Sequence, residues 1–128
     1  MPNFKRTEMD KINTYRDLIV WQKSMKLVTE IYQITTTFPN NENYGLTSQI
    51  RRSAISIPSN IAEGYGRNST GDYKRFLQIS VGSLFELQTQ VEIAYNLNYI
   101  SLDIFQIIMP KTNELDRMLS SLINKIKN

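Results

Sequence analysis

Apolar residues recur at spacings of three and four from Asp17 onward, the period of helices that bury one face. Leu18, Trp21, Met25, Val28 and Tyr32 form the seam of a first helix, with Val20, Leu27, Ile31, Ile34 and Phe38 as a second stripe beside it. Pro39 disfavours helical geometry in the residue before it, so the helix is expected to stop near Phe38. Asn40 and Asn41 then supply turn chemistry.

A second helix is expected from about Tyr44 or Leu46, carrying Leu46, Ile50, Ala54, Ile57, Ile61 and Tyr65. Pro58 lies inside it, without an N–H for the Ala54 carbonyl and with a ring that crowds that oxygen. A kink is therefore expected near Ala54–Pro58, with the Ser53 and Ser56 hydroxyls as compensating partners. Gly64, Gly66 and Asn68 read as the end of this helix.

Ser69-Thr70-Gly71-Asp72 fits a helix start, with an acid placed near free N–H groups. The third helix has the clearest pattern, with Leu77, Ser80, Leu84, Leu87, Val91 and Ala94 alternating spacings of three and four. Asn96 and Asn98 mark its end. Ser101 is placed to cap a fourth helix bearing Ile104, Phe105, Ile108, Leu115, Leu119, Leu122 and Ile126, which Pro110 is expected to kink or break. Four helices with short loops predict an all-α, antiparallel up-down-up-down four-helix bundle. Its domain is expected over residues 15–128, after a flexible polar arm at 1–14.

Composition narrows the chemistry. The 128 residues include neither Cys nor His. Disulfides, thiolate nucleophiles, Ser-His-Asp triads, zinc fingers and Glu-x-x-His di-iron sites are thereby excluded. Only Asp, Glu, Lys or Tyr remain for acid–base work. The start of the chain carries no apolar segment resembling a signal, and no apolar run approaches the ~20 residues that span a bilayer. The expected setting is cytoplasmic, with no membrane partner.

Net charge is +3, unevenly spread. Residues 1–75 hold 11 Lys/Arg against 7 Asp/Glu, and residues 76–128 hold 4 against 5. This bias permits nucleic-acid contact without requiring it. Arg51, Arg52, Arg67, Lys74 and Arg75 flank the second and third helices and are the candidates for a phosphate-binding stripe. The competing reading is solvated charge and local pairing, such as Asp72 with Arg75. Trp21, Tyr32, Tyr65, Tyr73, Phe76 and Phe85 are able to stack on bases, but their helical spacing favours core or interface.

Other motifs carry little. Gly64-Tyr65-Gly66 lacks the third glycine and the preceding strand of a dinucleotide fingerprint. Asn68-Ser69-Thr70 matches a glycosylation sequon in a chain without a secretion signal. Glu63, Glu86 and Glu92 lie nearest apolar faces, yet capping, pairing with Arg51, Arg52 or Arg67, or hydration explains them better than a carboxylate metal site. No metal, cofactor or catalytic residue is expected. Surplus apolar positions on the first helix, and Ile79, Phe85 and Ile93 on the third, exceed what a lone bundle needs and point to a surface shared between subunits.

The residues also carry a resemblance. Asp17-Leu18-Ile19-Val20-Trp21-Gln22-Lys23 opens the first helix, and Tyr44-Gly45-Leu46-Thr47-Ser48-Gln49-Ile50-Arg51-Arg52-Ser53-Ala54 follows. Ser56-Ile57-Pro58-Ser59-Asn60-Ile61-Ala62-Glu63-Gly64 and Gly82-Ser83-Leu84-x-Glu86-Leu87 complete the string. It resembles the four-helix-bundle family encoded by intervening sequences within 23S ribosomal RNA genes, and is similar to the accessory variability determinant of diversity-generating retroelements. Trp21, Pro58, Asn60, Glu63 and Gly64 stand at structural positions of that motif.

The resemblance implies an antiparallel bundle that assembles as a homopentamer and has no enzymatic role. It also admits RNA, DNA or another macromolecule as partner, with no small-molecule substrate. The alternative it carries is a nucleic-acid-binding accessory protein of a reverse-transcriptase system. Against that strongly basic relative, this chain is only mildly positive.

Overall fold

The computed structural model describes residues 12–126. Four helices make up most of it: α1 (Ile19–Thr35), α2 (Leu46–Tyr65), α3 (Thr70–Asn96) and α4 (Leu102–Lys125). Among the described residues there is no strand. Each helix packs against the next in sequence, and α4 returns against α1, which closes the antiparallel bundle; α2 and α3 share the most extensive contact. Leu27, Ile31, Ile50, Ile57, Ile61, Leu77, Leu84, Leu87, Val91, Leu115 and Leu119 fill the centre, almost wholly withdrawn from solvent.

Most of the expected arm, residues 1–11, lies outside the described residues. Residues 12–14 belong with the body of the protein. The Thr14 hydroxyl accepts from the Arg16 N–H at 3.1 Å, and the Asp17 carboxylate accepts from the Asn13 and Thr14 N–H groups. These bonds cap a short 3-10 turn, Tyr15–Asp17, ahead of α1. The Tyr65 hydroxyl reaches the Ile12 carbonyl at 3.3 Å and ties this start to the end of α2.

In α1 the two stripes exchange roles. Val20, Ser24, Leu27, Ile31 and Thr35 face the core, whereas Met25 and Tyr32 of the expected seam are 43% and 38% exposed. Apolar spacing alone misses Ser24 and Thr35. Their hydroxyls bond the Trp21 and Ile31 carbonyls of the same helix, both at 2.8 Å, so burying them leaves no unpaired group. The helix ends at Thr35, short of Phe38, which turns inward and packs on Tyr99 with ring centroids 5.3 Å apart.

Pro58 is buried within α2 and does not end it. Of the two hydroxyls expected to compensate there, that of Ser56 is engaged elsewhere, and Ser53 is buried. Ser56 Oγ pairs with Ser83 Oγ at 2.7 Å and accepts from Asn60 Nδ2, while the Ile57 carbonyl accepts from Ser80 Oγ at 3.0 Å. The Ser56–Ser83 and Ser80–Ile57 bonds join α2 to α3, and Asn60, on α2 itself, steadies Ser56 by also donating to its carbonyl. Gly64 is likewise no terminator. It is buried inside α2, where a Cβ would lie 2.6 Å from Phe76 Cβ, so its lack of a side chain lets α2 and α3 close together. Gly66 is the capping residue, with φ −82° and no left-handed turn.

The remaining ends follow the expected signals. Ser69 Oγ accepts from the Asp72 N–H, and Ser101 Oγ from the Ile104 N–H. Asn98 takes φ 64° after α3. The Asn98 and Tyr99 N–H groups return to the Tyr95 and Ala94 carbonyls, the paired bonds of a Schellman end. Pro110 lies within a continuous α4. It is exposed, so water can serve the carbonyl its missing N–H leaves free.

Candidate nucleic-acid interface

The expected basic stripe separates into two groups. Arg51 and Arg52 lie in the first half of α2, and Arg67, Lys74 and Arg75 gather where α2 gives way to α3. From Arg52 to the end of α2 is about 20 Å of helix. Arg51 is committed to α1. Its Nε donates to Thr35 Oγ1 at 2.8 Å, a second N–H reaches the Tyr32 carbonyl at 3.5 Å, and its guanidinium lies 4.5 Å from the centre of the Tyr32 ring. Arg52 is exposed and has no ion pair or side-chain hydrogen bond among the described residues.

In the second group Arg67 pairs with Glu63 at 3.0 Å and Arg75 with Asp72 at 3.7 Å, as local spacing favoured. Both guanidinium groups also lie over the Phe76 ring, at 4.7 and 4.6 Å. Lys74 has no ion pair among the described residues. These exposed pairs add little to stability. The Glu63 carboxylate is thus half of an ion pair, and among the described residues no three acidic side chains gather as a metal cage would require.

Most of the aromatic candidates are taken up in packing. Phe76 is buried, Trp21 meets Tyr15 edge-on at 5.1 Å, and Tyr65 meets Tyr73 in the same way at 5.9 Å. Phe85 is open, at 48% exposure. Among the described residues, the most exposed aromatic is one that helical periodicity passes over: Tyr44, fully exposed in the turn before α2. Its position between Asn43 and Gly45 was the available signal, because turn residues hold neighbouring side chains away from a helix face.

Glu42 fixes that turn. Its Oε1 accepts from the Leu46 N–H at 3.1 Å, which caps α2, and its Oε2 accepts from the Tyr99 hydroxyl at 2.9 Å. The Tyr99 pKa is raised above 10.0, first by that hydrogen bond, then by burial and the Glu42 charge. Tyr73 is raised too, by burial and then by Tyr65. Both shifts favour the neutral phenol in the folded state. Their stabilising effect is complete below pH 10 and is lost as pH rises through the folded pKa values. The melting temperature is therefore expected to hold up to about pH 10 and to fall as pH rises beyond it. In Tyr99→Phe, differential scanning calorimetry should show a shallower fall; an unchanged slope would remove Tyr99 from the effect.

Two depressions mark the α1–α2 side. An open groove of about 850 Å³ is lined by Tyr32, Tyr44, Thr47, Arg51, Arg52 and Asn60, among others. Ile55 and Ser59 separate it from an apolar trough of about 330 Å³ between Trp21, Met25, Val28, Pro58 and Ala62. The α1–α4 side is different: Lys23 pairs with Glu114 at 3.4 Å, and Lys111 with Glu30. On α3, Ile79, Phe85 and Ile93 are exposed, Ile79 and Ile93 toward one side of the helix and Phe85 about 120° round from Ile79.

The fold and its surfaces define an antiparallel four-helix bundle with an apolar centre and its charged and aromatic chemistry on the outside. The chain belongs to the 23S rRNA-intervening sequence protein family, whose model matches residues 16–121. In fold it is similar to a crystallised protein of unknown function from the S23 ribosomal protein family of Bacteroides thetaiotaomicron. That likeness has a TM-score of 0.77 at 24% identity and covers 84% of this chain and 96% of the other. No curated protein matches this chain. Among the described residues, no helix is long and apolar enough to cross a membrane.

Proposed function

We propose that the protein is a non-catalytic, self-associating bundle that works in the cytoplasm and meets nucleic acid through phosphate contacts. The observation that carries the reading is the pair of uncovered apolar surfaces. Met25, Trp21 and Val28 line the apolar trough on the α1–α2 side, and Ile79 and Ile93 stand on one side of α3. Two unlike surfaces on one molecule favour head-to-tail contact between copies, and such contacts form a ring when the rotation from copy to copy closes. The number five rests on the family resemblance alone.

The nucleic-acid part rests on Arg52 and Lys74, which have no ion-pair partner among the described residues, and on the basic residues around them. A ring would repeat a modest patch several times and raise avidity without improving any one contact. Binding is expected to be tolerant of sequence and to weaken steeply with salt, roughly in proportion to the phosphates engaged. Titrating labelled RNA and duplex DNA at 50 and 200 mM salt checks this. Absence of binding at the lower salt, or tight salt-resistant binding to one sequence, would contradict it. Service as the accessory partner of a reverse transcriptase is the alternative, which the mild net charge of +3 supports less well.

A further inference from the structure

We infer that the groove beside Arg51 and Arg52 is a nucleotide site, with phosphate held by the two guanidinium groups and a base laid on Tyr44. The inference deepens the nucleic-acid part of the proposed function and rests on it. At about 850 Å³ the groove has room for a nucleotide, within the range of small-ligand pockets. No Asp or Glu lines it, so nothing within it offsets the two arginines.

The two arginines differ in a useful way. Arg51 is anchored by Thr35 and Tyr32 and keeps further N–H donors unused among the described residues. A guanidinium already fixed in place gives up little freedom when it takes up a phosphate oxygen. Arg52 has no such anchor and can adjust to the ligand. Thr47, on the groove wall, is buried, and its hydroxyl has no hydrogen-bond partner among the described residues.

Tyr44 supplies the apolar part. It is fully exposed, yet the turn that carries it is held at Glu42 by the Leu46 N–H and by Tyr99. A bare aromatic ring on a fixed turn is a stacking platform rather than a core residue left outside. Phosphate chemistry and a stacked ring together describe a nucleotide, either free or as a unit of a single strand.

Calorimetric titration of the full chain with adenosine monophosphate, hexaadenylate, inorganic phosphate and hexaglutamate tests the site. The nucleotides are expected to bind more tightly than phosphate or hexaglutamate. Tyr44→Ala and Arg52→Ala should each weaken nucleotide binding by about tenfold. Both positions are exposed, so the fold should survive, and circular dichroism checks that it does. Binding of the monophosphate identifies a free nucleotide as sufficient, while binding of hexaadenylate alone identifies a strand; either result supports the site.

Equal binding of phosphate or hexaglutamate overturns it, as does wild-type affinity in Tyr44→Ala. If strand binding survives both groove variants but falls in Lys74→Ala/Arg75→Ala, the groove inference fails and the broader nucleic-acid reading stands. If neither the monophosphate nor the strand binds to the wild type at low salt, both fail.

Discussion

Replacing Gly64 with alanine is expected to lower the unfolding free energy by about 1–3 kcal/mol. Helix propensity argues the other way, since alanine in place of a mid-helix glycine gains about 1 kcal/mol. Packing decides the sign. The added Cβ would stand 2.6 Å from Phe76 Cβ and 3.3 Å from both the Tyr73 ring and its carbonyl oxygen. The Phe76 Cβ is the root of a buried side chain and cannot swing aside, so relief requires α2 and α3, the most extensively packed pair of helices, to move apart. Gly71 provides the control, because nothing lies within 4 Å of the corresponding Cβ. Gly71→Ala should remain within about 0.5 kcal/mol of the wild type. Urea denaturation of both variants checks the pair, and a stabilised Gly64→Ala would show that close approach does not govern this position.

A larger change in behaviour is expected from charging the open apolar surfaces. Met25 and Ile79 are 43% and 40% exposed, so a glutamate at either position can reach water without entering the core. The fold should lose no more than about 0.5–1 kcal/mol. A glutamate buried between two copies would instead lose its hydration without a matched partner, at a cost of several kcal/mol per contact. Met25→Glu and Ile79→Glu are therefore expected to yield folded monomers, each from the opposite side of a head-to-tail contact. Equimolar mixing should leave one good surface on each partner and allow no more than a pair. Circular dichroism establishes folding, and sedimentation velocity reads the assembly.

How much of this was legible in the sequence depended on the range of the interaction. Helix α3 was read almost residue by residue, because the Leu77 to Ala94 stripe and the Ser69 and Asn98 signals act within a turn or two of the chain. The ranking of the stripes in α1 was not, since Ser24 and Thr35 satisfy their hydroxyls on their own backbone and so enter the core without an apolar label. The misread role of Gly64 has a different origin. Helix-end chemistry and close packing both select glycine, and only the position of Phe76, across the next loop, separates them.

The candidate site was less legible for the same reason. Asp72–Arg75 and Glu63–Arg67 are local pairs, and spacing announced them. The hold of Thr35 and Tyr32 on Arg51 joins positions a whole helix apart, so sequence spacing carried no trace of it. Tyr44 escaped notice because attention to helical faces favours aromatics in register, whereas the most exposed ring sits in the turn that Glu42 and Tyr99 secure.

Self-association is the central claim, and the molar mass of the wild-type chain in solution tests it most directly. Light scattering coupled to size-exclusion chromatography, at micromolar concentration and moderate salt, should give a stable multiple of 14.9 kDa, about five copies. A mass of 14.9 kDa that persists across the accessible concentrations would contradict the account.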